Sequence, residues 1–293
     1  MNIRELKLFR HLTGTLHFGK TSQACNITPS GLTRAMQRLE NELGHELFYR
    51  SRRSVSLTPA GEIFKEYAEE AIFSWYRLQD RLRGDNTLQG ELTVYCSVTA
   101  ILSILPALLT TFRTSHPDVQ LHLETGDAAI ALNKLHSSEA DIAVAALPDN
   151  LPAGHDFLEL VSTPLIFIGP TGENHSIAYR NGNIDWRRSP IIVPERGLSR
   201  ERVDRWFLDK NISPNIYSQV AGNEAIIAMV GMGCGIGVVP KLVLDQSLLQ
   251  DQVTILQVQP ELKPFAVGIC TLEKNRQNPV VETFWDTAVT KFH

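Results

Sequence analysis

Apolar residues recur at helical spacing from the start of the chain. Ile3, Leu6, Phe9 and Leu12 form one stripe and predict a helix over about Ile3–Thr13. Two further helical stretches, Gly19–Cys25 and Ser30–Leu43, are separated by the break Asn26-Ile27-Thr28-Pro29. In the later stretch Leu32, Met36, Leu39 and Leu43 share a face, spaced four, three and four apart. Ser30, Thr33, Arg34 and Gln37 fall on the opposite face, and all four exchange hydrogen bonds with base edges or phosphates when a helix lies in a major groove. The competing reading is a solvated polar face on an ordinary helix.

The stretch from Leu47 to Thr58 reads as two short strands around a tip at Arg52-Arg53. Leu47, Phe48, Val55 and Leu57 anchor it, and Arg50, Arg52 and Arg53 face phosphates or a minor groove. Taken alone, such arginines describe a solvated loop equally well. Thr58-Pro59 then reads as an N-cap and first helical residue. A helix over Ala60–Arg83 follows, ended by Gly84 and spanning about 36 Å. Ile63, Tyr67, Ala71, Trp75, Leu78 and Leu82 stripe it with apolar side chains that predict pairing with a second copy. The alternative is packing on its own chain.

Beyond a polar hinge at Asp85–Gly90 the pattern turns to strand and helix in alternation, which predicts parallel sheets. Strands are expected at Glu91–Ser97, Val119–Thr125, Asp141–Ala146, Pro164–Gly169, Ile191–Pro194, Ile216–Val220, Ile236–Val239 and Phe265–Thr271. Helices are expected at Thr99–Thr114 (with Pro106 inside), Ala128–Leu135, Arg200–Asp209, Glu224–Met232 and Val280–Thr290. The last strand and helix return to the first unit, so two α/β lobes joined by crossing strands enclose a cleft. The organisation expected is a winged helix-turn-helix over 1–58, a linker helix and hinge over 59–90, and a two-lobed α/β domain over 91–293. Lobe I covers about 91–163 and 265–293, and lobe II about 164–264.

Charge sharpens this division. Residues 1–58 hold nine Lys/Arg and four Asp/Glu, a balance of +5. The chain as a whole has 28 basic and 32 acidic residues, a net −4, which leaves 19 basic and 28 acidic residues and a balance of −9 beyond residue 58. A basic head suits a polyanion through counterion release, and an acidic body needs another kind of partner. The opening Met1-Asn2-Ile3-Arg4-Glu5-Leu6-Lys7 lacks the apolar run of a signal peptide, and no uncharged run approaches membrane-span length, so a cytoplasmic protein without membrane association is expected. Four cysteines, at 25, 96, 234 and 270, have no metal-ligand spacing and read as small buried residues, with a redox pair between Cys96 and Cys234 as the minor alternative. Nine histidines show no metal-binding cluster, so neither metal nor cofactor is expected. The glycine-rich run Gly231–Gly237 precedes a strand and has Ile236 where a dinucleotide loop needs glycine, so it reads as a tight connection.

With these residues in view, 6–61 resembles the DNA-binding region of LysR-type transcriptional regulators. The resemblance is carried by Phe9, Phe18, Ala24, Thr28-Pro29-Ser30, Leu32-Thr33-Arg34, Leu39-Glu40, Leu43-Gly44, Leu47-Phe48, Arg50 and Leu57-Thr58-Pro59-Ala60-Gly61. The later lobes fit that family in length and order, which implies a periplasmic-binding-protein-like regulatory domain. Thr28 and Arg38 thereby join Ser30, Thr33, Arg34, Gln37, Arg50, Arg52 and Arg53 as candidate DNA contacts. Ala35, where a polar residue is frequent, and Thr33, where serine is common, depart from the pattern and bear on operator sequence. The resemblance implies a homotetramer, a dimer of dimers, on an inverted repeat of double-stranded DNA. A small metabolite in the cleft would alter the DNA bend and let RNA polymerase engage. Cys96-Ser97-Val98-Thr99-Ala100, Thr125-Gly126-Asp127-Ala128-Ala129 and Gly222-Asn223-Glu224-Ala225 resemble a branch that activates the acetohydroxy acid isomeroreductase gene of isoleucine and valine synthesis. Its expected inducers are acetolactate and acetohydroxybutyrate; regulation of another pathway by a different small carboxylate is the alternative.

The residues support such a cleft. Ser97-Val98-Thr99-Ala100 sits where a strand gives way to a helix, at the carboxyl edge of a sheet, where a helix N-terminus and two hydroxyls suit a carboxylate. Thr99 is also a plain N-cap candidate. Gly126 and Asp127 end the second strand, with Asp127 an N-cap or an acceptor for a ligand hydroxyl. Glu195, Asn223 and Glu224 face them from the other lobe, and Arg196 is an alternative carboxylate anchor or a surface loop residue. An enzyme acting on a small hydroxy or keto acid in the two lobes is the competing class. No Ser-His-Asp or G-x-S-x-G arrangement supports it. A solute-binding module for transport lacks an export signal.

Overall fold

The computed structural model describes residues 1–51, 54–83, 88–146, 151–172 and 177–293. Arg52, Arg53 and the Gly84–Thr87 part of the expected helix end and hinge lie outside the described residues. The head comprises helices α1 (Ile3–Thr15), α2 (Phe18–Ala24) and α3 (Pro29–Leu43), then wing strands β1 (Phe48–Arg50) and β2 (Val55–Leu57), which pair antiparallel. Each start is chemically marked. Asn2 and Glu5 form a capping box on α1, and Thr28 Oγ1 caps α3 with Pro29 at its first turn. Leu6, Phe9, Leu12, Leu32, Met36 and Leu39 make one core with Leu47 and Phe48 of the wing. Leu43, expected on that inner face, remains 37% exposed where α3 ends at Gly44.

Helix α4 (Pro59–Arg83) is entered through Thr58, whose hydroxyl accepts from Gly61 N at 2.9 Å and donates to Glu46 O at 2.7 Å. It has two apolar faces. Phe64, Ala68 and Ile72 join the head core, with Phe64 edge-on to Phe9 at 4.8 Å between centroids. The predicted stripe faces the other way. Tyr67, Trp75 and Leu78 are exposed, and Ile63 and Leu82 are 73% and 75% exposed. Packing of that stripe on its own chain is therefore not what the fold does. Only Ala71 of the stripe packs against the head core.

The first lobe follows with β3 (Gly90–Ser97), α5 (Val98–Ser103), α6 (Leu105–Ser115), β4 (Val119–Gly126), α7 (Ala131–His136), β5 (Ile142–Ala146) and β6 (His155–Thr163). The second contains β7 (Leu165–Pro170), a small hairpin of β8 (Tyr179–Arg180) and β9 (Asn183–Ile184), β10 (Pro190–Pro194), α8 (Leu198–Asp209), β11 (Asn215–Val220), α9 (Asn223–Gly231), β12 (Ile236–Pro240), α10 (Lys241–Asp245) and β13 (Val253–Leu256). The chain returns to the first lobe with β14 (Phe265–Leu272) and α11 (Pro279–Phe292). The strand orders are β4-β3-β5-β14-β6 and β11-β10-β12-β7-β13.

Residues of period two explain the layering. Leu92, Val94 and Cys96 of β3 face α6 and α11, whereas Tyr95 faces α7. In lobe II, Ile191 and Val193 of β10 pack with α8, and Ile192 packs with α9 and α10. The sheets are mixed rather than parallel. β3 pairs parallel with β4 and β5, and β10 with β11 and β12, but β14 runs antiparallel to β5 and β6, and β7 antiparallel to β12 and β13. The chain crosses between lobes once outward, through β6 and β7, and once back, through β13 and β14, so these legs run in opposite senses.

The helix expected over Thr99–Thr114 is two helices, broken at Ile104. Pro106 lacks the amide proton that a helix interior requires, and it occupies the first turn of α6 instead. The helix expected from Ala128 opens as a 3-10 turn, Ala128–Ile130, before α7. Glu69 of α4, almost buried, receives Lys274 Nζ at 2.6 Å and ties the linker helix to lobe I.

Candidate functional site

The polar face of α3 is open to solvent at Ser30, Arg34, Gln37 and Arg38, with Thr33 half-buried. Thr28 Oγ1 accepts from Gly31 N at 3.1 Å and sits 3.2 Å from Ser30 Oγ, so its acceptor capacity is partly used as a cap. Thr33 donates to Pro29 O at 2.9 Å, and Arg34 Nε donates weakly to Ser30 O at 3.4 Å. The Arg34 fork and the Gln37 amide are thus the groups on this face with most capacity left for base edges. Ala35 is buried, so no polar group stands at that position of the face.

Two candidate arginines are ion-paired within the head, Arg38 while its side chain stays largely exposed. Arg38 Nη2 lies 3.0 Å from Oε1 of Glu5, the buried member of the α1 capping box. Arg50 Nη2 donates to Glu40 Oε2 at 2.6 Å and its guanidinium lies 5.3 Å from the Phe18 ring centre. Glu40 Oε1 at the same time accepts from Leu47 N at 3.0 Å. One carboxylate therefore fastens the wing to the polar helix, which gives Leu39-Glu40 and Arg50 a structural reason to occur together.

The cleft between the lobes encloses about 470 Å³. All nine expected effector residues, Ser97, Val98, Thr99, Ala100, Gly126, Asp127, Glu195, Asn223 and Glu224, line it. They come from the carboxyl ends of β3, β4, β10 and β11, where the strand order of each sheet reverses. Ser97, not Thr99, is the N-cap of α5: its Oγ accepts from Ala100 N at 3.2 Å. Thr99, half-buried at the cleft wall, keeps its hydroxyl for another partner. Asp127 is a cap, its Oδ1 accepting from Ala129 N at 2.9 Å, while its Oδ2 receives Arg196 Nε at 2.7 Å from the facing lobe. Helices α8 and α9 have Gly197 and Gly222 as N-caps with no side-chain cap, which leaves first-turn amide protons without a side-chain acceptor beside the cleft.

Several residues that line or support the cleft had no signature in the sequence. Tyr95 is fully buried beneath the wall, and its hydroxyl donates to Asp127 O at 2.9 Å. A Cβ at Gly126 would lie 2.3 Å from that hydroxyl oxygen, so only glycine fits above it. Thr163 and Phe265 stand where the two crossings leave lobe I, and Thr163 Oγ1 accepts from Leu242 N at 3.0 Å. Their place at a strand end beside the crossing is the one hint the chain offered. Arg202, at 9% exposure, backs the return crossing by donating to Lys263 O at 2.8 Å and stacking 4.4 Å from the Phe265 ring centre.

Burial pushes the Cys96 thiol up to about 11 and the Cys270 thiol up to about 12, so both stay protonated at neutral pH and resist oxidation. Among the described residues all four cysteines are free, no His, Cys, Asp and Glu group is arranged to hold a metal, and no helix is long and apolar enough to cross a membrane. The run after Gly231 is the tight α9-to-β12 connection that its pattern predicts.

A basic three-helix head with a wing, joined by a long helix to two lobes around a cleft, defines a ligand-responsive regulator of transcription. The family comparisons agree. Residues 3–62 match the model for bacterial regulatory helix-turn-helix proteins of the lysR family, and residues 85–292 match the LysR substrate binding domain. The chain belongs to the LysR family: it is a LysR-type transcriptional regulator, a class that binds DNA and small-molecule effectors, and not an enzyme. It is 39% identical over 293 residues to the HTH-type transcriptional activator IlvY of Salmonella typhimurium, covering 97% of this chain and 98% of that protein. The HTH-type transcriptional regulator IlvY of Escherichia coli is 38% identical over 292 residues, with the same coverage. Among solved structures, a full-length OxyR variant from Pseudomonas aeruginosa superposes with a TM-score of 0.65 at 22% identity, covering 98% of this chain and 94% of that one.

Glu40→Ala is expected to lower unfolding stability by about 1–3 kcal/mol, because it strands the Leu47 amide proton and the Arg50 guanidinium. Glu40→Gln, which still accepts from Leu47, loses less. Equal chemical denaturation midpoints for all three proteins would show that the wing is held by something else.

Proposed function

We propose that this chain activates transcription of isoleucine and valine biosynthesis, the acetohydroxy acid isomeroreductase gene in particular, in response to a small carboxylate inducer such as acetolactate or acetohydroxybutyrate. The end-to-end likeness to IlvY supports the branch. The observation that carries the reading is the convergence of the Ser97–Ala100, Gly126-Asp127, Glu195 and Asn223-Glu224 segments on one cleft, whose volume is in the range of small-molecule sites. Hydroxyls at Ser97 and Thr99 and the free amide protons opening α8 and α9 supply donors for a carboxylate, and the acidic side chains supply acceptors for a hydroxyl.

The head reads double-stranded DNA through the open face of α3, with Arg34 and Gln37 at base edges and Arg52 and Arg53 of the wing tip at phosphates or a minor groove. Arg38 and Arg50 act on DNA mainly by holding that face in shape. The outward stripe of α4 pairs two chains so that two heads meet the two halves of an inverted repeat, and two such pairs make the tetramer. Inducer in the cleft changes the bend imposed on the operator and lets RNA polymerase engage. Such work is done in the cytoplasm, and the domain limits 1–58, 59–90 and 91–293 follow the same division of labour.

Arg34→Ala is expected to weaken operator binding by about 1–3 kcal/mol without unfolding the chain. Unchanged operator affinity in the Arg34, Arg52 and Arg53 triple alanine variant refutes this reading face. Thr99→Val, which removes a hydroxyl at nearly constant volume, is expected to cost about tenfold in acetolactate affinity by titration calorimetry, the worth of one hydrogen bond to a charged group. An unaltered isotherm removes Thr99 from the site.

A further inference from the structure

Arg196 and Asp127 follow strands of different lobes, β10 and β4, and meet across the mouth of the cleft with Nε to Oδ2 at 2.7 Å. The lobes touch beside this pair, since a Cβ built at Gly197 would lie 3.1 Å from the Cβ of Ala129. The ion pair is thus a direct contact between the two lobes. It is also open to water, with side chains 58% and 33% exposed, and a wet pair of this kind opens at little cost.

Charge gives the pair its significance. The other charged side chains lining the cleft are Glu195, Glu201 and Glu224, so among the described residues Arg196 is the only cation there. An anion entering this space faces three further carboxylates and finds one guanidinium already engaged by a fourth. The fork of an arginine matches any carboxylate, whether on Asp127 or on a ligand.

We propose that Arg196 is the anchor for the effector's carboxylate and that Asp127 occupies it when the cleft is empty, so that effector binding exchanges one carboxylate for another on the same guanidinium. The inference rests on reading the cleft as a carboxylate site. Asp127 is then an internal competitor. It lowers the apparent affinity by the fraction of molecules in which Arg196 is engaged, and it demands that any occupant be anionic. Once released, Asp127 keeps its cap on Ala129 and turns its outer oxygen to the ligand, where it accepts from a hydroxyl. The direct link between lobes is replaced by one that runs through the effector, from Arg196 on one side to the Ser97–Ala100 turn on the other.

Titration calorimetry of the full-length protein tests this with 2-acetolactate and its neutral methyl ester, on the wild type, Asp127→Asn, Arg196→Gln and the double variant. Both side chains are solvent-exposed, and asparagine preserves the cap. Asp127→Asn is expected to bind acetolactate several-fold more tightly. Arg196→Gln should lose about tenfold or more for the acid and little for the ester, and the gain from Asp127→Asn should vanish in the double variant. A gain that persists without Arg196 reports only the removal of a negative charge and overturns the exchange, as does wild-type affinity in Arg196→Gln. A wild-type protein that binds neither probe, or only the ester, overturns the carboxylate reading of the cleft and the exchange with it.

Discussion

Helix α4 has two apolar faces, and among the described residues only one of them is covered by the chain's own core. Its inner face, Phe64, Ala68 and Ile72, completes the core that holds α1, α3 and the wing together. Its outer face leaves Ile63, Tyr67, Trp75, Leu78 and Leu82 in water. A large apolar side chain gains about 1.5–3 kcal/mol when it is fully buried, so a row of five such residues on one helix is a strong drive toward association. Because the same helix carries the head on its other side, the proposed association of the outer faces would set where two heads stand relative to each other. In the dimer we propose, the spacing of the heads, and with it the fit to an inverted repeat, would follow from one helix being amphipathic twice over.

The rest of the molecule hangs from that helix through few connections. Lys274 reaches Glu69 from lobe I, and the two lobes are joined by their paired crossings, backed by Thr163, Phe265 and Arg202, and by the Arg196–Asp127 pair at the mouth of the cleft. Each lobe is internally stiff, with fully buried strands such as Ile191–Val193 and Ile142–Ala145. The cleft walls are set with care: Tyr95 sits under Gly126, and Ser97 and Asp127 cap the turns that face the ligand space. A small acid that bridges such walls has the leverage to bias how two rigid bodies meet.

Much of this was legible along the chain because it is local. The helix-turn-helix announces itself through the spacing of Leu32, Met36 and Leu39 and through Thr28-Pro29 at a helix start, and buried strands such as Ile236–Val239 announce themselves as apolar runs. Edge strands were harder. β6 and β13 have a sheet neighbour on one side only; β6 mixes Asp156 and Glu159 with apolar residues, and β13 is a run of four residues, so neither carries the pattern of a buried strand. Pro106 was read as tolerated within a helix when it begins one. The residues proposed for the effector are gathered in one cleft because strand ends in such sheets converge, whereas their contacts depend on partners far away in sequence. Asp127 and Arg196 are 69 positions apart, and the pairing of Arg50 with Glu40 and of Arg38 with Glu5 likewise appears only in the fold.

Sedimentation velocity on the full-length protein at micromolar concentration tests the two-faced helix most directly. The wild type is predicted to sediment at even multiples of 32.7 kDa, and a Leu78→Glu, Leu82→Glu variant to shift toward the single chain while keeping its helical content. A folded wild-type protein that sediments as a 32.7 kDa monomer would contradict the account.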